Sequence, residues 1–116
     1  MPSAALEFKR GDTWRLIFQY RDSGGDPIDL TGCVAWTQVR ERRSKGLALT
    51  GRIDTGEIEL VPAEGRINVR FESDATRDVA PGQYEVDMEL TYPDGTVEST
   101  QTFLVRVIKD VTRDAG

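Results

Sequence analysis

Cys33 is the only cysteine of the 116-residue chain, and histidine is missing altogether. The usual neutral-pH general base, the serine–histidine and cysteine–histidine nucleophilic pairs and the Cys/His zinc sites are therefore absent, and no internal disulfide can close. Cys33 lies between apolar neighbours and reads as a small core residue. Carboxylates remain. Asp22, Asp26 and Asp29 gather around one turn, an oxygen-rich grouping that could hold calcium, but their spacing does not match the helix–loop–helix calcium loop and turn-making explains them as well. Asp87 and Glu89 could serve as an acid–base pair only with one pKa raised inside a cleft, whereas their positions are those of a solvated strand face. Trp14 and Trp36 could stack against a sugar or an aromatic ligand, yet both sit in alternating segments, which favours packing in the core. Arg40, Arg42, Arg43 and Lys45 form a short basic run able to touch phosphate, lipid headgroups or an acidic protein face, in the setting of a solvated loop. The expectation is a domain without catalytic residues, cofactor or metal, built to bind or assemble.

The elements that must position these residues are strands. Trp14, Leu16, Phe18 and Tyr20 alternate with Arg15, Gln19 and Arg21, the period-two pattern of a half-buried strand, and Ser23-Gly24-Gly25-Asp26-Pro27 reverses the chain after it. Cys33 to Arg40 is β-prone, with Val34 and Trp36 on one face and Cys33, Ala35 and Val39 on the other, which predicts a strand buried on both sides. Leu47 to Ile53 and Glu57 to Val61 read as a weaker pair around Asp54-Thr55-Gly56, and Arg66 to Phe71 alternates through Ile67, Val69 and Phe71. Ser73 to Asp78 predicts a single helical turn, with Ser73 as cap and Asp74 at the positive end. Tyr84, Val86, Met88 and Leu90 alternate with Glu85, Asp87 and Glu89, and Pro93-Asp94-Gly95-Thr96 is a hairpin signal that should fold one long strand, Val97 to Ile108, back antiparallel.

Short strands at near-regular spacing predict an all-β antiparallel sandwich of about seven to eight strands with one helical turn near 73–78. The approach through Pro81 and Gly82 to Tyr84 resembles the tyrosine corner of immunoglobulin-like and fibronectin-type sandwiches, where a tyrosine hydroxyl bonds backbone before its strand begins. The length suits one domain over residues 1–116, with 1–4 and 110–116 expected as flexible ends. A net charge of −5, spread through turns and strands, gives no basic field for nucleic acid, and no apolar run is long enough to span a membrane. Residues 1–11 lack a basic start followed by an apolar run, so a secretory leader is not expected.

Gly11-Asp12-Thr13-Trp14, Asp26-Pro27-Ile28-Asp29-Leu30-Thr31-Gly32, Pro81-Gly82-Gln83-Tyr84-Glu85-Val86-Asp87-Met88 and Asp110-Val111-Thr112-Arg113 follow one another in an order that resembles small structural proteins of tailed bacteriophages and prophages. More distantly the chain is similar to the immunoglobulin-like N-terminal domain of phage baseplate upper proteins, which also open on Gly-Asp and carry an Asp-Leu-Thr-Gly turn. The resemblance implies a non-enzymatic protein of a phage tail or baseplate, placed in the virion tail, assembled in the host bacterial cytoplasm and acting on other tail proteins. Independently of it, Asp29 and Thr31 can bond turn backbone, Leu30 can enter the core and Gly32 can take a positive φ. The poorly guarded segment Leu47 to Ile53 and an arm carrying Asp110 and Arg113 predict weak self-association. The alternative reading is a bacterial immunoglobulin-like or carbohydrate-binding module, and a carboxylate-only hydrolase is a remote third.

Overall fold

A computed structural model of the chain describes residues 6–100 and 102–109. The expected ends at 1–4 and 110–116, with Asp110 and Arg113, lie outside the described residues. The strands are β1 (Leu6–Lys9), β2 (Trp14–Gln19), β3 (Val34–Glu41), β4 (Leu47–Arg52), β5 (Ile58–Val61), β6 (Arg66–Phe71), β7 (Gly82–Thr91), β8 (Val97–Ser99) and β9 (Phe103–Ile108). A 3-10 turn covers Pro62–Glu64, and one helical turn, α1 (Ser73–Thr76), falls within the expected segment, but its N-cap is Glu72 and not Ser73, and no side chain caps it.

Two sheets face each other. The larger runs β1-β9-β7-β3-β4 with β8 also on β7, and the smaller runs β2-β6-β5. Pairing is antiparallel except for β1, which lies parallel to β9. The inward side chains of β2 (Trp14, Leu16, Phe18) and β6 (Ile67, Val69, Phe71) meet those of β7 (Tyr84, Val86, Met88, Leu90) and β9 (Val105, Val107), and all of these are buried. Period-two alternation on both sheets fills one shared core.

Three expectations are corrected. Leu47 to Ile53 and Glu57 to Val61 do not pair with each other: β4 joins β3 and β5 joins β6, so the chain crosses between sheets through the turn at Ile53–Gly56. β4 thereby gains an eight-residue partner in place of the four residues of β5, and β5 gains the cleanly alternating β6. The segment Val97 to Ile108 is two strands, because the Thr100 hydroxyl accepts the Met88 N–H at 2.9 Å where a ladder carbonyl would otherwise stand. Trp36 is not in the core: Cys33, Ala35, Thr37 and Val39 point inward, and Trp36 shares the outer face with Val34, Gln38 and Arg40. No further layer of described residues covers that face, so β3 is buried on one side only. β1 was not anticipated; it carries Phe8, which stacks on Trp14 at 5.2 Å between ring centroids.

Candidate interaction surface

The turns that the sequence singled out organise the scaffold. Asp29 Oδ1 accepts the Thr31 N–H at 3.0 Å and its hydroxyl at 2.6 Å, and these bonds hold the Asp29 carboxyl below its ordinary pKa. Leu30 is buried completely, and Gly32 takes φ 80°, where an added Cβ would lie 3.0 Å from Pro93. Tyr84 is 4% exposed, and its hydroxyl donates to the Ala80 carbonyl at 2.6 Å, immediately before Pro81 and Gly82, which pins the entry to β7. Asp22 Oδ1 accepts the N–H groups of Gly24 and Asp26 at 2.9 and 3.0 Å, so the aspartate turn is tied to its own backbone. Among the described residues no group of three or more His, Cys, Asp or Glu stands close enough to hold a metal ion. Cys33 is buried, and that burial pushes its thiol pKa up.

The basic run closes β3 and forms the β3–β4 connection, and Arg40, Arg42 and Lys45 bond within the molecule. Arg40 bonds Gln38 Oε1 and, at 2.9 Å, the Lys45 carbonyl. Arg42 reaches Gln83 Oε1 at 3.1 Å, and Lys45 Nζ lies 2.6 Å from Glu85. The Glu41 carboxylate accepts the N–H groups of Ser44 and Arg43, which lowers its pKa. These residues flank an open cleft of about 610 Å³ lined by Glu41, Arg42, Arg43, Gly82 and Gln83. Cations already bonded to this extent on an exposed loop hold its shape more than they present a free basic patch.

The outer face of the larger sheet is where the unassigned apolar surface lies. Register sets Val34 beside Thr91 and Thr91 beside Val97, one row across β3, β7 and β8. Val34 is 60% exposed and Val97 54%. The next row is Arg52, Trp36, Glu89 and Ser99. The Arg52 guanidinium lies 4.9 Å above the Trp36 ring, and the indole N–H is buried without a hydrogen-bond partner. Below them Glu85, Asp87 and Glu89 occupy alternate positions of β7. Trp36 therefore lies half-buried on this outer face, while Trp14 is core.

The opposite face, on the smaller sheet, mixes charges, with Glu57 and Glu59 standing among Arg15, Arg66 and Arg70. Arg15, Ile17 and Gln19 of β2 stand directly across from Arg70, Asn68 and Arg66 of β6. Ile17 is 70% exposed, the most open of the large apolar side chains described. Sequence reading gave no surface role to Ile17, Val34, Val97 or Arg52; for Ile17 the signal was in the alternation, since it takes the polar phase of β2.

The strand order completes the comparison with known folds. Parallel β1 on β9, the β9-β7-β3-β4 succession, a separate β2-β6-β5 sheet and the tyrosine corner at the start of β7 are the arrangement of the immunoglobulin class. The fold is an immunoglobulin-like β-sandwich. CopC from Methylosinus trichosporium OB3b superposes with a TM-score of 0.55 over 92% of this chain and 86% of that one, at 11% identity. The fibronectin(III)-like modules of Clostridium thermocellum CbhA superpose with a TM-score of 0.50 over 95% of this chain, at 14% identity, and this chain spans 44% of that one. Identities this low establish the fold alone. No family model and no curated protein matches the sequence.

Proposed function

We propose that the chain is a non-enzymatic structural domain of a phage or prophage tail or baseplate, acting through contacts with other tail proteins and residing in the virion. The ordered phrases of the sequence support the tail setting. The observation that carries the contact reading is the row Val34, Thr91 and Val97 beside Trp36, which leaves Val34 and Val97 open on a sheet face that also carries Glu85, Asp87 and Glu89. Exposed apolar surface rimmed by polar groups marks a place where another molecule docks.

Flanking genes for tail-tube, tape-measure or portal proteins would be the cheapest support. The direct test is to produce the tagged chain together with the products of its flanking genes and to purify assembled tails. Wild type should be incorporated, whereas Val34→Glu should fold and melt as wild type does but be left out. Tails assembled without the chain would overturn the reading. A second reading, a carbohydrate-binding module, is favoured by the outward Trp36; glycan-array binding abolished by Trp36→Ala would support it over the first.

A further inference from the structure

An added strand needs an edge, and the edges of this sandwich are not guarded alike. β1 and β5 have four residues each and β8 three, while β4 carries a register shift opposite Val39 and Arg40 and has its Arg52 N–H capped by Glu57. β2 has none of these devices: its six residues pair with β6 in unbroken register, and no described strand lies on its other side. The Tyr20 N–H bonds the Gly65 carbonyl, so by alternation Phe18, Leu16 and Trp14 also turn their backbone toward β6. The N–H and C=O groups of Arg15, Ile17 and Gln19 therefore point outward, one set every second residue, about 6.7 Å apart. The core is less closed along that edge, with Leu16 and Phe18 6% and 8% exposed where Val69 and Ile67 beside them are 1% and 0%.

We infer that this edge takes an extended segment of a partner protein, which adds to the three-stranded smaller sheet as one more, antiparallel strand. A row of backbone donors and acceptors at strand spacing is answered in full only by another strand, which is the chemistry of β-strand addition. Side chains narrow the partner. Arg15 stands opposite Arg70 and has no ion-pair partner among the described residues, while Glu72 is taken by Arg70, Glu57 by the Arg52 N–H and the Thr55 hydroxyl, and Glu59 by Asn68. A carboxylate across from Arg15 and an apolar side chain across from Ile17, which is 70% exposed, answer what the solvent side of β2 leaves open. Apolar residues between these two lie beside Leu16 and Phe18. A second copy fits less well, because antiparallel pairing of two β2 strands about Ile17 sets Arg15 against Gln19 and leaves its charge unanswered. The inference rests on reading the chain as an assembly domain.

Amide hydrogen exchange of the full chain, read residue by residue, tests this with a synthetic peptide. Its order is threonine, valine, isoleucine, valine, glutamate, valine, which antiparallel pairing sets against Gln19, Phe18, Ile17, Leu16, Arg15 and Trp14. Without peptide the amides of Arg15, Ile17 and Gln19 should exchange far faster than those of Leu16, Phe18 and Tyr20, and saturating peptide should slow those of Arg15, Ile17 and Gln19 by at least about tenfold. N-methylation of the peptide's isoleucine and glutamate should abolish binding, whereas N-methylation of its valines should spare it, and neither change touches the protein's own folding. Arg15→Glu should weaken binding about fivefold, and a peptide with lysine in place of glutamate should recover it. Absence of binding, or binding that leaves these amides unprotected, would overturn the inference. Protection already present without peptide overturns it too: independent of concentration, it means that the chain covers its own edge, and rising with concentration, that a second copy does. Incorporation into tails is read separately. Failure here with incorporation retained sinks the added strand and leaves the assembly reading standing, while peptide binding by a chain that tails exclude does the reverse.

Discussion

Two tyrosines in the same sandwich separate a hydrogen bond that is made from one that is not. The Tyr84 hydroxyl donates to the Ala80 carbonyl at 2.6 Å in a buried setting, so Tyr84→Phe should lose about 1 kcal/mol, the net worth of such a bond. The Tyr20 hydroxyl is buried without a partner, and removing an unsatisfied group costs nothing, so Tyr20→Phe should be neutral or stabilising. Urea unfolding of both variants measures the contrast, and equal losses would contradict it. The tryptophans make a second pair. Trp14 is buried, donates from Nε1 to the Lys9 carbonyl at 2.8 Å and stacks on Phe8, so Trp14→Ala should cost on the order of 3–5 kcal/mol through transfer and cavity. Trp36→Ala removes a half-buried ring on the outer face, with Arg52 stacked over it, and should cost less, about 1 kcal/mol. Thermal melts in which Trp36→Ala is the more damaging change would place the indole back in the core.

Elements in this fold are held by a few junctions where backbones meet without room to spare. Gly65 ends the 3-10 turn at φ 64°, and its carbonyl accepts the Tyr20 N–H at 2.8 Å as β6 begins. A Cβ built there would lie 2.5 Å from the Tyr20 carbonyl oxygen and 2.9 Å from that of Ile28, both backbone atoms that cannot swing aside. Gly65→Ala should therefore cost more than about 2 kcal/mol, left-handed strain plus displacement of two chain segments. Chemical denaturation checks this. A loss under half a kilocalorie per mole, roughly that of an ordinary surface change, would mean that the junction relaxes freely. The β4 edge shows the complementary device. Arg52 N–H is taken by Glu57 Oε1 at 3.1 Å, which caps one end of an otherwise open strand and lessens the exposure that the sequence predicted for Leu47 to Ile53.

At the scale of the whole molecule, stability should form a plateau bounded by tyrosines on one side and turn carboxyls on the other. Tyr20 is pushed up to about 12 by burial and by the charge of Glu98, and Tyr92 to about 12 chiefly through its hydrogen bond to Glu98. A tyrosine in the unfolded chain titrates near 10, so the folded state binds its proton more tightly. That contribution is complete below about pH 10 and is lost as pH rises toward about 12. Asp29, Asp94 and Glu41 run the other way: turn hydrogen bonds lower each pKa, so their contribution is present above about pH 4 and fades as pH falls. Urea midpoints across this range should decline at both ends, and Tyr20→Phe should flatten the alkaline limb. An alkaline limb unchanged in that variant would show that Tyr20 titrates as it does when unfolded.

Local chemistry alone determined much of this protein. Alternation placed β2, β6 and β7 and their buried faces; Asp29-Leu30-Thr31-Gly32, Asp94-Gly95 and the approach to Tyr84 specified their turns, because each needs only neighbours a few residues away. The two-sheet architecture followed from these patterns. Tertiary structure decided which strands share a sheet, since β4 and β5 choose partners by competition among distant segments, and which side of β3 meets a second layer. Alternation puts Val34 and Trp36 on one face and Ala35 and Val39 on the other, but it does not count layers. Only the packed chain leaves the face with Trp36 without a second layer, because sheet assignment and register are long-range facts that no local window of sequence contains.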